Sequence, residues 1–346
     1  MTSTRQARIL EIIETARSKP LKFRDERITM SHGAGGKATA RLIEGLLAPA
    51  FGMTSLDDAA IVGDVAITTD SFVVKPLRFA GGSIGELAVN GTVNDLAVAG
   101  VRPLALSLSL ILEEGLGAGE LRAEVEAIAT AARAAGVRIV AGDTKVVERG
   151  HADGMYITTT GIGRRDPRAS LAPDSARPGD RVLLSGSIGE HGTAIMLARG
   201  EFDLAAGVTS DTKCLWPEVD ALLDAAGPHL RCMRDATRGG VASVLNELAR
   251  AARVSMLIRE ADVPVAPAVA AASELLGIDP MHVANEGRFV TIVAPEGAEA
   301  ALAVMPQGAD IGEVKAEPPG MVLVETSFGG KRVMDQLVGD PLPRIC

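Results

Sequence analysis

The sequence predicts a two-domain α/β protein, and three observations carry that prediction. The chain has 346 residues, more than one domain usually holds. Strand patterns alternate with helical patterns in both halves of the chain. Between the halves, residues 163–180 read GRRDPRASLAPDSARPGD, a stretch rich in proline, arginine and aspartate that is typical of a linker.

In the first half, the predicted elements follow a glycine-rich loop. Residues 1–27 form an extension with one short amphipathic helix. Strands are predicted at 65–69 and 104–112, with a helix between them that starts at a Ser83–Glu86 capping box and stops at Gly100. Another helix is predicted over 119–135, and VRIVAGDTKVV, at 137–147, is predicted as a strand running into a loop.

The second half alternates in the same way. Strands are predicted at 181–186, 288–295 and 320–325, and helices at 190–199 and 239–252. The pentapeptide GSIGE occurs at 82–86 and again at 186–190, which indicates either two related halves or a shared way of starting a helix. The predicted organisation is an N-terminal domain over 28–163, a linker over 164–180, a C-terminal domain over 181–326 and a mobile tail over 327–346.

Composition and charge exclude several classes of function. Aromatic residues make up 3% of the chain, so the core must be built from Ala, Val, Leu and Ile. With 35 Lys and Arg against 44 Asp and Glu, the net charge of −9 argues against nucleic-acid binding. No membrane span and no signal-peptide core are found. An odd count of three cysteines without a CxxC motif fits the reducing cytoplasm.

Acidic residues of the first half fall where α/β proteins place their chemistry, at strand ends and beside small residues. They are Asp58 in LDDAA, Asp70 in TTDSF, Asp95 in VNDLA and Asp143 in AGDTKVV. Because Mg²⁺ is held by a few carboxylates together with substrate phosphates, these four could converge on such a site. Each one alone is more often an ordinary cap or turn residue, and the set of four is the stronger indication. Asn94 lies beside Asp95 on an otherwise apolar helix, where a polar side chain needs a partner.

The glycine loop HGAGGK, at 32–37, is not a phosphate-binding P-loop. That motif requires glycine where this chain has Ser31 and Ser or Thr where it has Ala38. Gly35 and Gly36 can still offer N–H groups to an anion at a helix start. A plain flexible turn is the alternative.

Two stretches of the second half carry further candidates. The motif DATRGG places Asp235 just ahead of a helix. MHVANEGRF places His282 and Glu286 four residues apart, on one face if that stretch is helical. An isolated His–Glu pair is otherwise a surface contact.

The chain ends in DPLPRIC, with Cys346 as its last residue. We expect a terminal thiol to be exposed, and an exposed thiol is a liability unless it is used. Glycines before this end and two prolines within it predict a flexible arm with a stiff tip, although a frayed terminus is the alternative. Cys214 and Cys232 are interpreted as small buried hydrophobic residues.

These motifs, taken together, resemble a known family. HGAGG, DDAA, TTDSFVV, NGTVNDLAVAG, AGDTKVV, DATRGG, ANEG and terminal PRIC occur in this order in the HypE family of hydrogenase-maturation proteins. The resemblance runs from about residue 28 to the end, and PRIC is its most specific part. The family belongs to the ATP-dependent superfamily of aminoimidazole ribonucleotide synthetase, thiamine-monophosphate kinase and selenophosphate synthetase. It implies a two-domain aminoimidazole-ribonucleotide-synthetase-like fold, a homodimer formed by the N-terminal domains, and ATP bound near their contact.

The resemblance also implies an activity. The carbamoyltransferase HypF would carbamoylate Cys346, and ATP with Mg²⁺ would drive dehydration of the thiocarboxamide to a thiocyanate. The cyanide would pass to iron on a HypC–HypD scaffold for the Fe(CN)₂CO centre of [NiFe]-hydrogenases. No nucleic acid and no membrane is implied as a partner.

The resemblance assigns roles as follows. Metal and ATP binding fall to Asp58, Asp70, Asp95 and Asp143, with Asn94, Gly35, Gly36 and Asp235 also at the nucleotide. Lys145 would stabilise phosphate or oxyanion charge, Glu286 would be the base with His282 a weaker candidate, and Cys346 would carry the reacting group. Two alternatives stay open: a small-molecule kinase or synthetase of the same superfamily, and a non-enzymatic ATP-gated docking protein.

Overall fold

The computed structural model describes residues 21–53, 57–200, 207–337, 339 and 344–346. The short helix predicted near the start of the chain lies outside these residues. The described chain builds two mixed sheets, both packed against helices, and a separate two-stranded hairpin. One large hydrophobic cluster lies at each mixed sheet, and the cluster at the N-terminal sheet includes side chains of the C-terminal half, such as Ile195 and Val283. The predicted α/β class is confirmed.

The glycine loop leads into a helical segment, as predicted. A 3₁₀ turn over Met30–Gly33 precedes helix α1 (Lys37–Leu42), which continues through a π-helical turn (Ile43–Leu47) into α2 (Ala48–Phe51). At Gly35, with φ of +75°, a Cβ atom would lie 2.8 Å from the Arg238 carbonyl oxygen. The loop therefore needs glycine for its close approach to the C-terminal half.

The N-terminal sheet has five strands in the order β1-β2-β7-β5-β6. All neighbours are antiparallel except β5 and β6, which are parallel. Its strands and helices are β1 (Ala60–Val62), β2 (Val65–Phe72), the β3–β4 hairpin (Arg78–Phe79 and Gly82–Ser83), α3 (Ile84–Val98), β5 (Val101–Glu113), α4 (Ala118–Ala134), β6 (Arg138–Val147) and β7 (Met155–Arg165). Residues 137–147 were predicted as a strand that becomes a loop. That prediction is wrong in its second part, because pairing with β5 keeps β6 a strand through Val147.

One face of this sheet carries the core and the other is bare. Phe72, Leu106 and Ile157 are fully buried in a cluster that includes residues of α3 and α4. The strand positions between them alternate to the opposite face. No helix of the described chain packs there, and β6 is exposed along almost its whole length.

Helix α3 begins and ends where the sequence predicted, but the predicted Ser83–Glu86 capping box does not form. The Ser83 side chain makes no cap hydrogen bond and its hydroxyl lies buried without a partner among the described residues. Glu124 of α4 instead accepts the Gly85 N–H at 3.0 Å, and Arg78 lies 2.8 Å from the other carboxylate oxygen. A tertiary carboxylate thus replaces the local cap at the positive end of the helix.

The C-terminal sheet has seven strands in the order β14-β13-β10-β12-β8-β11-β9. Its elements are β8 (Arg181–Leu184), α5 (Glu190–Ala198), α6 (Trp216–Ala226), β9 (Leu230–Asp235), α7 (Gly240–Ala252), β10 (Ser255–Arg259), α8 (Pro267–Leu276), β11 (Phe289–Val293), α9 (Pro295–Ala303), β12 (Ala309–Lys315), β13 (Met321–Glu325) and β14 (Lys331–Met334). Both copies of GSIGE lie at helix starts, of α3 and α5. Since β14 pairs with β13, the first part of the predicted tail segment is a sheet strand.

Residues 166–180, between the sheets, form turns without a strand or helix. Arg168 ties this segment to the C-terminal half by an ion pair of 2.6 Å with Asp220. In the part of the chain that the structure describes, no helix combines the length and apolar character that crossing a membrane requires.

Candidate active site between the two halves

Carboxylates from both halves of the chain gather in one place. They are Asp58, Asp70, Asp95, Asp235 and Glu286, here called the carboxylate cluster. Burial raises the pKa of each of them, and for Asp95 the neighbouring charges of Asp235, Asp70 and Asp58 raise it further. Like charges held together away from water leave a strongly negative site that favours a cation.

The surrounding elements aim two of these side chains at one spot. Every residue of α3 is buried except Glu86 and Asp95, so Asp95 faces the site from an otherwise enclosed helix. Thr68 of β2 donates its hydroxyl hydrogen to the Asp95 carboxylate at 2.8 Å. Asp70, two residues along the same strand, lies on the same face of the sheet.

Two arginines that the sequence reasoning missed accompany the cluster. Arg234 lies 3.2 Å from Asp58 and 3.1 Å from Glu247, and Arg238 lies 3.7 Å from Asp70. Both arginines sit around the DATRGG motif, whose Asp235 alone had been singled out. The available signal was the stretch RDATRGG, because it places one arginine directly before Asp235 and another three residues after it.

Glu286 is buried, and its backbone is fixed from two sides. Asp211 accepts the N–H groups of Glu286 at 3.2 Å and of Gly287 at 3.1 Å, and the Asn94 amide donates to the Glu286 carbonyl at 3.2 Å. The side-chain oxygen Oε1 lies buried with no hydrogen-bond partner among the described residues. The pKa of the Glu286 carboxyl is well above its ordinary value, and burial is the largest cause of that rise. This oxygen is therefore placed to take up a proton.

The side chain of Asn94 joins the two halves of the chain by hydrogen bonds. Its amide also donates to the Lys213 carbonyl at 3.0 Å, and its oxygen accepts the Leu215 N–H at 2.8 Å. A buried amide on an apolar helix thus finds its partners in the main chain of the other half. Asn94 reaches the site by holding Glu286.

The geometry predicted for His282 is wrong. The structure has a single 3₁₀ turn at Pro280–His282 and no helix through Glu286, so the two side chains do not share a helical face. Burial lowers the pKa of His282, whose charged neighbours are Asp279, Arg332 and Asp335 rather than the carboxylate cluster.

The C-terminus is docked, and the expected exposure of Cys346 is wrong. Cys346 is 8% exposed, and Ile345 lies in the N-terminal core cluster. Val73, three residues after Asp70, donates its N–H to the main-chain oxygen of Cys346 at 3.0 Å. The negative charge of Cys346 is the largest cause of a raised pKa at Arg238, which puts the chain end beside the cluster. Apolar packing of Ile345 and main-chain hydrogen bonds hold a residue that sequence position alone had placed in solvent.

Asp143 and Lys145 do not join the cluster within this chain. Their side chains are 61% and 68% exposed and pair with each other at 2.6 Å. Asp143 is opposite Ser109 on β5, whose neighbours Leu108 and Leu110 pack on the core. By strand alternation, Asp143 therefore points to the bare face, away from Asp95.

The glycine loop contacts the segment leading to the tail. The Lys37 N–H donates to the Leu337 carbonyl at 3.0 Å, and its ammonium group donates to Asp335 at 2.7 Å. A Cβ atom on Gly36 would lie 2.5 Å from that same carbonyl oxygen. Gly35 and Gly36 thus line the edge of the site next to Arg238.

No three His, Cys, Asp or Glu side chains among the described residues are arranged to hold a metal ion by themselves. The predicted metal set of Asp58, Asp70, Asp95 and Asp143 stays a prediction. Its first three members share the cluster, and their mutual repulsion is the feature that fits a cation there.

Two protein-family domains match most of the chain. Residues 56–165 match the N-terminal domain of the AIR synthase related proteins, and residues 177–324 match their C-terminal domain. These two regions contain the whole carboxylate cluster. They also contain the strands of both sheets, except β14 and the last residue of β13.

Curated relatives match over nearly their whole length. The chain is 48% identical over 344 residues to the carbamoyl dehydratase HypE of Rhizobium leguminosarum bv. viciae, covering 96% of this chain and 98% of that one. It is 49% identical over 339 residues to the same protein of Azotobacter vinelandii, covering 94% and 99%.

Solved structures agree in fold. The chain superposes on HypE in a HypE–HypF complex with a TM-score of 0.82 at 43% identity, covering 86% of this chain and 99% of that one. It superposes on HypE in complex with ATP with a TM-score of 0.79 at 42% identity, covering 92% and 100%.

Proposed function

This chain belongs to the HypE family of carbamoyl dehydratases among the AIR synthase related proteins, and we propose that it converts its own S-carbamoylated Cys346 into a thiocyanate with ATP and Mg²⁺. The thiocyanate would supply cyanide for [NiFe]-hydrogenase maturation. One observation carries the proposal. The terminal cysteine is docked, 8% exposed, beside a buried carboxylate cluster whose like charges a bound cation would offset.

The chemistry sets what the site must supply. An S–C(=O)–NH₂ group must lose its oxygen and both N–H protons to become S–C≡N. Mg²⁺-ATP, when bound, supplies the phosphoryl group that makes the oxygen a leaving group and carries it away as phosphate. The protein must hold the tail in place, exclude water and accept protons.

Glu286 is the proposed base. Its unpartnered Oε1 is buried at the site, and a carboxylate of raised pKa is a stronger base once it is ionised. Burial and the neighbouring carboxylates raise the pKa of Glu286, and the positive charge of Arg238 offsets part of that rise in favour of the ionised form. Asp211 and Asn94 fix the backbone that carries it. His282, whose charged neighbours lie elsewhere, is assigned a supporting role at most.

Metal and nucleotide binding fall to Asp58, Asp70 and Asp95, with Asp235 closing the cluster from the C-terminal half. Gly35 and Gly36, beside Arg238, are proposed to meet the phosphates. Cation binding would offset the repulsion that raises the pKa of these carboxylates.

Asp143 and Lys145 are proposed to act through a homodimer. They lie on the bare face of the N-terminal sheet together with exposed apolar side chains, among them Ile67, which is 40% exposed, and Ile111, which is 37% exposed. A second copy covering that face would bury these groups and bring Asp143 and Lys145 to a nucleotide shared between the chains.

The proposed partners follow from the same activity. The carbamoyltransferase HypF would load Cys346, and an iron scaffold of HypC and HypD would receive the cyanide. No disulfide joins the cysteines of the described chain, which fits a cytoplasmic setting.

Mass measurement of the C-terminal peptide tests the proposal. The full-length protein is mixed with HypF, carbamoyl phosphate and Mg²⁺-ATP. We expect the peptide to gain one carbamoyl group and then lose one water, and expect Cys346→Ala to show neither change. An unmodified tail, with ATP consumed on an added small metabolite, would contradict the proposal and favour a kinase or synthetase.

A further inference from the structure

The main-chain carbonyls of the docked tail are bound by two different sides of the protein. The Arg344 carbonyl accepts from the Lys75 N–H at 3.4 Å and from Arg199 at 2.7 Å. The main-chain oxygen of Cys346 accepts from the Val73 N–H. Segment 73–75 of the N-terminal half therefore holds the main-chain oxygens of Arg344 and Cys346 by its backbone N–H groups.

The middle carbonyl is held by a side chain of the C-terminal half. Nε2 of His191, in the first turn of α5, lies 2.6 Å from the Ile345 oxygen. Since a carbonyl oxygen only accepts, the hydrogen is on Nε2. Nδ1 lies 2.8 Å from the Ser210 hydroxyl, which itself accepts the Thr212 N–H at 3.1 Å. The chain of donors thus fixes the tautomer of the ring.

We propose that His191 is a positioning residue that holds the tail in its reacting place, by donating to the carbonyl of Ile345, the residue next to the carrier cysteine. The inference rests on the proposed function, because it is in that reaction that the position of Cys346 matters. His191 does not touch the reacting atoms. It decides how much of the protein has its tail docked.

The environment of His191 makes this hydrogen bond a strong one. The ring is fully buried, with an edge-to-face contact to Phe79 at 5.5 Å between centroids. Burial lowers the pKa of His191 to about 4, so the ring is neutral at physiological pH. A buried carbonyl that loses its donor is costly, because water does not replace the bond.

Other contacts of the tail are weaker anchors. Arg344 pairs with Asp153, which also accepts from Lys75 at 2.7 Å. The Arg344 and Asp153 side chains are 25% and 27% exposed, so solvent reaches this ion pair and screens it in part. We therefore expect the buried His191 bond, rather than this pair, to control docking.

The experiment measures docking and reaction separately in the full-length protein. Docking is measured as the rate at which iodoacetamide alkylates Cys346, followed by mass spectrometry of the C-terminal peptide. Reaction is measured as the single-turnover rate of dehydration after HypF has loaded the tail. The variants are His191→Leu, which removes the donor, His191→Gln, whose amide can donate from a similar position, and Ser210→Ala, which removes the ring's second partner.

We expect His191→Leu to raise the alkylation rate about ten-fold and to lower the dehydration rate by a similar factor. His191→Gln is expected to lie between this variant and the wild type, and Ser210→Ala to show a smaller change in the same directions. A merely structural role would lower dehydration without the opposite change in alkylation or the rescue by glutamine.

Unchanged alkylation in both His191→Leu and Ser210→Ala would overturn the inference, as would a fall in dehydration without faster alkylation. If His191→Leu fails to fold, His191→Gln and Ser210→Ala carry the same test. If the wild type does not dehydrate its tail at all, the proposed function fails, yet the alkylation rates still decide whether His191 holds the tail.

Discussion

The carboxylate cluster and the Asp143–Lys145 pair were predicted to serve one site, yet the structure gives them opposite surroundings. The pKa of every cluster member is raised by burial, and most of them have like-charged neighbours. The pKa of Asp143 is lowered, because Lys145 donates to it in solvent. The first group holds like charges together away from water, whereas the charge of Asp143 in the second is balanced by Lys145.

Asp95 and Asp143 face in opposite directions from the N-terminal half. Asp95 is turned inward by a buried helix, and Asp235 and Glu286 meet it from the C-terminal half. Asp143 faces outward from the same sheet. Asp143 lies on a bare face next to exposed apolar side chains, the face that we propose a second copy of the chain covers.

The largest expected effect is at Glu286. Glu286→Gln keeps the shape of the side chain but removes the proton acceptor, and we expect dehydration to slow by roughly 100- to 10,000-fold. Carbamoylated protein should then accumulate in the mass assay. Glu120→Gln, on the exposed side of α4, is the matched control. Normal dehydration in Glu286→Gln would remove this residue from the reaction.

The next effect tests whether the pair belongs to the site. Lys145→Ala is expected to lower the dehydration rate by roughly 100-fold, because it removes a positive charge that would stabilise the phosphoryl group during transfer. Arg138→Ala, exposed on the same strand, should leave the rate unchanged.

A mixture of the two inactive variants sharpens that test. If one site takes Glu286 from one chain and Lys145 from the other, Glu286→Gln mixed with Lys145→Ala gives dimers with one intact site. Part of the wild-type rate should return after the subunits exchange. No recovery, in dimers shown to be mixed, would place both residues in one chain's site and contradict the shared arrangement.

The cluster should also shape the pH dependence of stability. Its pKa values are raised in the folded state, so its contribution is complete below the ordinary values of 3.8 for Asp and 4.5 for Glu. That contribution is lost as pH rises through the raised values. Without Mg²⁺-ATP, we expect the free energy of unfolding to fall as pH rises above those ordinary values and through the raised ones.

Asp95→Asn should flatten this slope and raise stability near neutral pH by on the order of 1 kcal/mol, since it removes one of the repelling charges. Urea titrations at several pH values measure both effects. A variant less stable than the wild type at neutral pH would show that the carboxylate is not repelled there.

The smallest expected effect is the stability of Asp143→Asn. The side chain is mostly exposed and its ion pair is screened, so the thermal midpoint of the separated chain should not change measurably. The nucleotide-dependent rise in that midpoint should nevertheless shrink, if Asp143 meets the nucleotide in the dimer. Loss of both quantities together would show a structural role instead.

The sequence by itself determined the α/β class, the ends of α3 and the family, because these depend on local patterns and on motif order. It also picked out Asp58, Asp70, Asp95, Asp235 and Glu286. Only the tertiary structure decided that these five meet while Asp143 turns away, that Glu124 replaces Ser83 as the cap of α3, and that Cys346 is docked. The physical reason is the same in each case. Pairing with Ser109 sets the face to which Asp143 points, Glu124 caps α3, and His191 binds the carbonyl next to Cys346. All three partners are distant in the chain, and local sequence does not specify them.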